Sequence, residues 1–100
     1  MKLEHLTAIL SFLESEYELD VIDLHLLAAM QMHWDKKEPI RMTDLIRNYN
    51  IASPATIHYR VSQELVTKKM IKFKENPEDR RERFIVEGPN FKDLVKFLGR

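Results

Sequence analysis

SPATIHYRVSQELVTKKMIKFKENPEDRRERFIVE, residues Ser53 to Glu87, decides the reading of this chain. It opens on Ser53-Pro54. A serine side chain caps free backbone N–H groups, and proline at the first helical position gives up an N–H that had no partner anyway. A helix is therefore predicted from Ser53 to about Lys68. Ile57, Val61 and Leu65 lie four apart and form its core stripe. At 100° per residue Ala55, Thr56, Tyr59, Ser62 and Gln63 point broadly the other way, with Arg60 at the border. That polar face suits hydrogen bonding and lacks the Glu–Lys pairs of a merely solvated helix. Next, Met70 to Lys74 alternates: Ile71 and Phe73 face one way, Lys72 and Lys74 the other. Residues 75–82 are polar and interrupted by Pro77, so they read as a loop. Arg83 to Glu87 reads as a second strand. Helix and hairpin follow one another without a spacer.

Working outward, the chain upstream reads as helices. Leu3, Leu6, Leu10, Leu13 and Tyr17 recur three and four apart, a heptad-like seam on a helix over Leu3–Tyr17. A second helix starts at the capping residue Asp20 and is apolar nearly all round until it fades at His33-Trp34, so it is expected to be central. Asp35 to Pro39 is a polar turn. Ile40-Arg41-Met42 reads as a short strand, and Thr43 as the cap of a short helix from Asp44 to Tyr49. Downstream, Gly88-Pro89-Asn90 breaks the hairpin, and Phe91, Leu94, Val95 and Leu98 outline a last amphipathic helix.

The expected fold is mainly α with a small β-hairpin wing, α+β in class: a winged helix-turn-helix in a single domain over 1–100, with its core at 20–87. The terminal helices, 1–17 and 89–99, are read as the elements of a homodimer. One hundred residues, 44% hydrophobic and 32% charged, suit one globular core.

The residues resemble the MarR class of bacterial transcriptional regulators, in a compact form. Ser53-Pro54-Ala55-Thr56-Ile57 looks like that group's recognition-helix opening, and Asn76-Pro77-Glu78-Asp79-Arg80-Arg81 looks like its wing motif. The resemblance covers roughly residues 20–87. It implies a DNA-binding regulator whose Asp79 orients an arginine. The sequence also departs from the pattern. Lys68 or Lys69 stands where the family usually has glycine at the end of the recognition helix. Thr56 to Leu65 is one residue longer than the usual spacing. Glu87-Gly88-Pro89-Asn90 replaces a threonine-containing turn. The last helix is too short to carry over a small-molecule response.

Charge agrees with a polyanion partner. The formal total is zero, yet residues 1–40 hold three basic and eight acidic residues, and the other sixty hold thirteen basic and eight acidic ones. One half is net −5 and the other net +5, an asymmetry expected when one part of a chain binds a polyanion.

The expected activity is sequence-specific binding of double-stranded DNA, with helix 53–68 in the major groove and wing 71–87 beside it. Ser53 and the first free N–H groups meet a phosphate. Thr56, His58, Tyr59, Arg60 and Gln63 face the bases or backbone, with Arg60 the expected guanine reader because its fork matches two acceptors. Arg80 and Arg81 contact backbone or minor groove, Lys72 and Lys74 contact phosphates, and Arg41 and Thr43 do so from the other side. The alternative is a winged helix used for protein binding, a role that usually loses the basic wing and polar face kept here.

Catalysis is not expected: with Gly88 and Gly99 alone there is no phosphate-binding glycine loop, and no nucleophile has a recognisable base. Nor is a cofactor or metal, since there are no cysteines and the histidines lack ligand spacing. No leader or membrane-spanning run is read, which places the chain in the cytoplasm.

Overall fold

The computed structural model describes residues 2–99. The elements run α1 (Leu3–Tyr17), α2 (Val21–Asp35), α3 (Met42–Asn48), α4 (Pro54–Tyr59) continuing into a wider turn (Arg60–Leu65), β1 (Ile71–Asn76), β2 (Asp79–Glu87) and α5 (Pro89–Leu98). This is the mainly helical architecture with one antiparallel hairpin that the pattern predicts.

Asp20 starts α2 as a full capping box. Its Oδ1 accepts the Asp23 N–H at 2.9 Å, and Asp23 Oδ2 accepts the Asp20 N–H at 3.1 Å. Leu26, Leu27, Ala29 and Met30 of α2 are buried. The helix is not covered all round, because Val21, His25, Ala28 and Met32 are exposed.

The strand expected at Ile40–Met42 does not form. Ile40 is buried, and its carbonyl accepts a single ladder-like bond from the Ile85 N–H at 2.8 Å. Arg41 then leads directly into α3, because Asp44 Oδ2 accepts the Arg41 N–H at 2.9 Å. That bond moves the helix start upstream of Thr43, the residue expected as its cap.

Helix α4 begins as expected. Ser53 is extended, its Oγ accepts the Thr56 N–H at 3.2 Å, and Pro54 occupies the first turn. The additional residue between Thr56 and Leu65 is absorbed by the Arg60–Leu65 segment, which is π-helical, with i→i+5 bonding. In a regular α-helix four-residue steps drift by about 40°, so Leu65 would lie about 80° from Ile57. The wider turn removes that drift, and Ile57, Val61 and Leu65 are all 0% exposed.

The helix that begins at Pro54 exits through Lys69, held left-handed at φ 58°. Met70 N–H reaches Leu65 O and Lys69 N–H reaches Val66 O, the paired bonds of a Schellman ending. Helix α2 ends the same way at Lys37 (φ 57°).

The hairpin is longer than its sequence suggests. Ile71 pairs with Glu87 and Glu75 with Arg83, but Asn76 then pairs with Asp79 across a tip at Pro77-Glu78. Arg80, Arg81 and Glu82 therefore form a bulge in β2. Most of the polar stretch taken for a loop is strand plus bulge.

Helix α5 starts at Pro89 and buries Phe91 and Leu94. Trp34 fixes this corner: its indole N–H donates to Ile85 O at 2.9 Å, and its ring meets Phe91 edge-on at 5.1 Å. Phe12 of α1 stacks on Phe97 of α5 at 4.5 Å, joining the two terminal helices. The first turns of α1 stand free, with Leu3 80% exposed.

Candidate nucleic-acid interface

Three elements meet at one groove. Helix α3 and the residue that precedes it contribute Thr43 and Arg41, the helix that begins at Pro54 contributes His58 and Ser62, and the wing Arg81 and Arg83. Phe73 lies beneath, with the Arg83 guanidinium 4.4 Å from its ring centroid.

The wing is braced against α3 by Arg41. Its guanidinium donates to Glu82 Oε1 at 2.9 Å and to Asp44 at 3.2 and 3.3 Å. Burial pushes the Asp44 carboxyl up, but the bonds from Arg41 outweigh it and hold it below the ordinary carboxylate range. Asn76 Nδ2 adds a bond to Glu82 Oε2 at 3.3 Å. Arg41 is thus spent on positioning the hairpin rather than standing free for a phosphate. Asp79 Oδ1 accepts the Arg81 N–H at 3.0 Å and lies 3.6 Å from its Nε. The Arg81 side chain is still 93% exposed.

Along the recognition helix, Ser53, His58, Tyr59 and Gln63 are exposed and Thr56 is half-buried. The Ser53 hydroxyl also donates to Thr56 Oγ1 at 2.8 Å, so both hydroxyls take part in the cap.

Arg60 departs from expectation. Its guanidinium turns toward α2, where it bonds Asp20 and lies 3.4 Å from Asp23 Oδ1 and 3.9 Å from Glu64. Asp23 is 1% exposed, and burial beside the Asp20 charge raises its carboxyl above the ordinary value. Asp20 is also pushed up by burial, but the bonds from Asp23 and Arg60 prevail and lower it. Hydrogen bonding to Asp20 leads the causes that hold Arg60 above its own ordinary value. A guanidinium so engaged is a brace between helices, and the guanine-reading role assigned from sequence does not fit it.

Lys72 and Lys74 are also displaced from the expected surface. In the register they pair with Val86 and Phe84, on the hairpin face opposite Phe73 and Ile85. Lys74 lines a separate hollow with Trp34 and Pro39. Strand alternation puts them there: Ile71 and Ile85 must point to the core. The same alternation would have found Arg83, which the charge-based reading passed over.

The helix-turn-helix and hairpin are clamped at their junction. Asn90 N–H bonds Lys69 O at 3.1 Å, Asn90 Nδ2 bonds Lys68 O at 2.8 Å, and Gly88 N–H bonds Met70 O at 2.9 Å. The chain after the wing thereby satisfies carbonyls at the end of the recognition helix.

Among the described residues, five helices with a hairpin set against the helix-turn-helix make this a winged-helix fold. No protein-family model and no curated protein matches the chain. Among solved structures it is similar to the crystal structure of MarR, at 17% sequence identity and a TM-score of 0.65, over 98% of this chain and 73% of that one. The likeness establishes a MarR-like fold. Among the described residues no helix is long and apolar enough to cross a membrane, and no His, Asp and Glu cluster is placed to hold a metal ion.

Proposed function

We propose that this protein binds double-stranded DNA as a transcriptional regulator and has no catalytic role. The observation that carries the reading is the shared groove: Thr43, His58 and Ser62 on the helical side and Arg81 and Arg83 on the wing face one surface. The helix enters the major groove with Ser53, Thr56 and Tyr59 at its start and Gln63 in the wider turn that follows. Arg80, Arg81 and Arg83 meet the flanking backbone or minor groove. Arg41 and Arg60 support this surface from behind, and the MarR-like fold agrees with it.

The protein acts as a homodimer in this reading. Leu3 and Leu6 of α1, and Phe97 and Leu98 of α5, remain exposed on helices that already pack together through Phe12 and Phe97. Exposed apolar surface of this kind marks an interface. A two-fold dimer calls for half-sites about 10 bp apart, and sedimentation showing a monomer at micromolar concentration would remove that requirement.

The binding test is a titration of labelled random duplex at several salt concentrations. Affinity is expected to fall steeply as salt rises, through counterion release. Arg80→Ala with Arg81→Ala should weaken binding and reduce the log–log salt slope by about two, at about 0.9 per phosphate contact. An unchanged slope refutes the wing assignment, and absence of binding even at low salt favours a protein-docking role for the same surface.

A further inference from the structure

The leading helix has little cationic chemistry to offer a base. Between Ser53 and Thr67 the chain contains one lysine or arginine, Arg60. Its guanidinium is held by Asp20 and Asp23. Withdrawing it would leave Asp23, with almost no access to water, beside Asp20 without its guanidinium and held by the capping bond from the Asp20 N–H, so the cluster resists giving it up. His58 lines the groove against the wing instead of the open side of the helix.

The open side is left with Ala55, Thr56 and Tyr59 of α4, together with Gln63 of the wider turn, which also borders the hollow holding Asp20 and Arg60, all exposed or half-exposed. Guanine shows two acceptors in the major groove and is most often read by a bidentate guanidinium or ammonium. This stripe has neither. Adenine shows one acceptor and one donor, which an amide such as Gln63 matches in both directions. Thymine shows a methyl group, which the methyls of Ala55 and Thr56 match.

With the wing arginines set in the minor groove of the duplex, the hairpin points in the same direction. The β2 bulge lifts Arg80 and Arg81 out of the ladder at the tip of the hairpin. Guanidinium groups in the minor groove are favoured where it is narrow and strongly negative, as over A-tracts.

Resting on the duplex-binding reading above, we infer that the preferred target is A·T-rich, both under the start of the recognition helix and in the minor groove beside it. The sequestered Arg60 is what removes guanine from the helix's reach. The Asp20–Arg60 pair thereby sets specificity as a positioning device without touching DNA.

The test uses the full chain and two labelled duplexes of equal length, one of mixed A and T and one of mixed G and C, read by fluorescence anisotropy at fixed salt. The A·T duplex should bind at least about tenfold tighter, the scale of one good base contact. Equal affinities, or a G·C preference, overturn the inference while leaving duplex binding intact. Failure to bind either duplex at low salt defeats the underlying reading instead. Arg60→Gln keeps a hydrogen-bond donor for Asp20 and Asp23 but removes the guanidinium. With circular dichroism confirming the fold, it should leave the A·T to G·C ratio unchanged, and a selective loss of G·C binding would show that Arg60 reads guanine and overturn its sequestration.

Discussion

Replacing Gly88 by alanine tests the junction on which the candidate interface depends. Backbone conformation is not the obstacle, since Gly88 sits at φ −91°, open to any residue. Space is. An added Cβ would lie 2.3 Å from Lys69 O, 2.7 Å from Met70 C and 2.8 Å from Ile71 N. All three are backbone atoms, so no side chain can swing aside. Ordinary contact is about 3.5–4.0 Å, and the wing exit must therefore retreat by more than about 1 Å from the recognition-helix exit. The Gly88–Met70, Asn90–Lys69 and Asn90–Lys68 hydrogen bonds span that gap, at 2.9, 3.1 and 2.8 Å. At about 1 kcal/mol net for each, losing all three costs about 2–3 kcal/mol, allowing for partial rescue by water. For a chain of this size that corresponds to a fall in Tm of roughly 10–25 °C. Thermal unfolding followed by circular dichroism measures it directly. Gly99→Ala is the control, because its nearest neighbour is Val95 O at 3.2 Å, and a small relaxation suffices. A Gly88→Ala protein melting within about 3 °C of the parent would refute the clamp.

Two further outcomes are expected. Lys69→Gly should raise Tm by about 3–6 °C, because the left-handed backbone at φ 58° costs a non-glycine residue about 1–2 kcal/mol and glycine returns roughly half of that as unfolded-chain entropy; no gain would mean that position 69 is unstrained. Asp44→Asn tests the α3–wing brace through pH. Arg41 holds the folded-state Asp44 carboxyl below its ordinary value, so its stabilisation is complete above the unfolded pKa near ~3.9 and is lost as pH falls through the lower folded value. The Tm gap between parent and variant should therefore be widest near neutrality and close in acid, and a gap independent of pH would show that the ion pair contributes nothing.

Local chemistry made the helix starts and the hairpin legible. Ser53-Pro54 and Asp20 each encode a cap within three residues of the group they bond, and the alternation of Ile71 and Phe73 encodes a strand facing the core. Failures came where a competing partner, near or distant, decided the outcome. Ile40-Arg41-Met42 has strand-like composition, but Asp44 captures the Arg41 N–H and the only ladder bond comes from Ile85, far along the chain. Arg60 looked free because its partners lie 37 and 40 residues upstream. The additional residue between Thr56 and Leu65 could be counted in the sequence. Its resolution as a π-helical turn required knowing that Ile57, Val61 and Leu65 would all stay buried.

The charge asymmetry also changes meaning once the partners are placed. Counting residues suggested an acidic half and a basic half, with one part of the chain binding a polyanion. Instead Asp20 and Asp23, from the acidic half, bond Arg60, a cation of the basic half. Asp44 and Glu82 similarly take up Arg41. Two of the arginines nearest the proposed face are thereby turned into braces, whereas Arg80 and Arg81 stay exposed on the bulged wing. In the proposed duplex-binding reading, electrostatic attraction and base reading would be divided between two elements. The wing would supply the exposed positive charge that releases counterions, and the helix from Pro54 through the wider turn would supply the neutral hydrogen-bonding groups that carry sequence information. That division orders the effects of substitution: wing arginines should govern the salt dependence of binding, and Thr56, Tyr59 and Gln63 should govern discrimination between sequences with little effect on the salt slope.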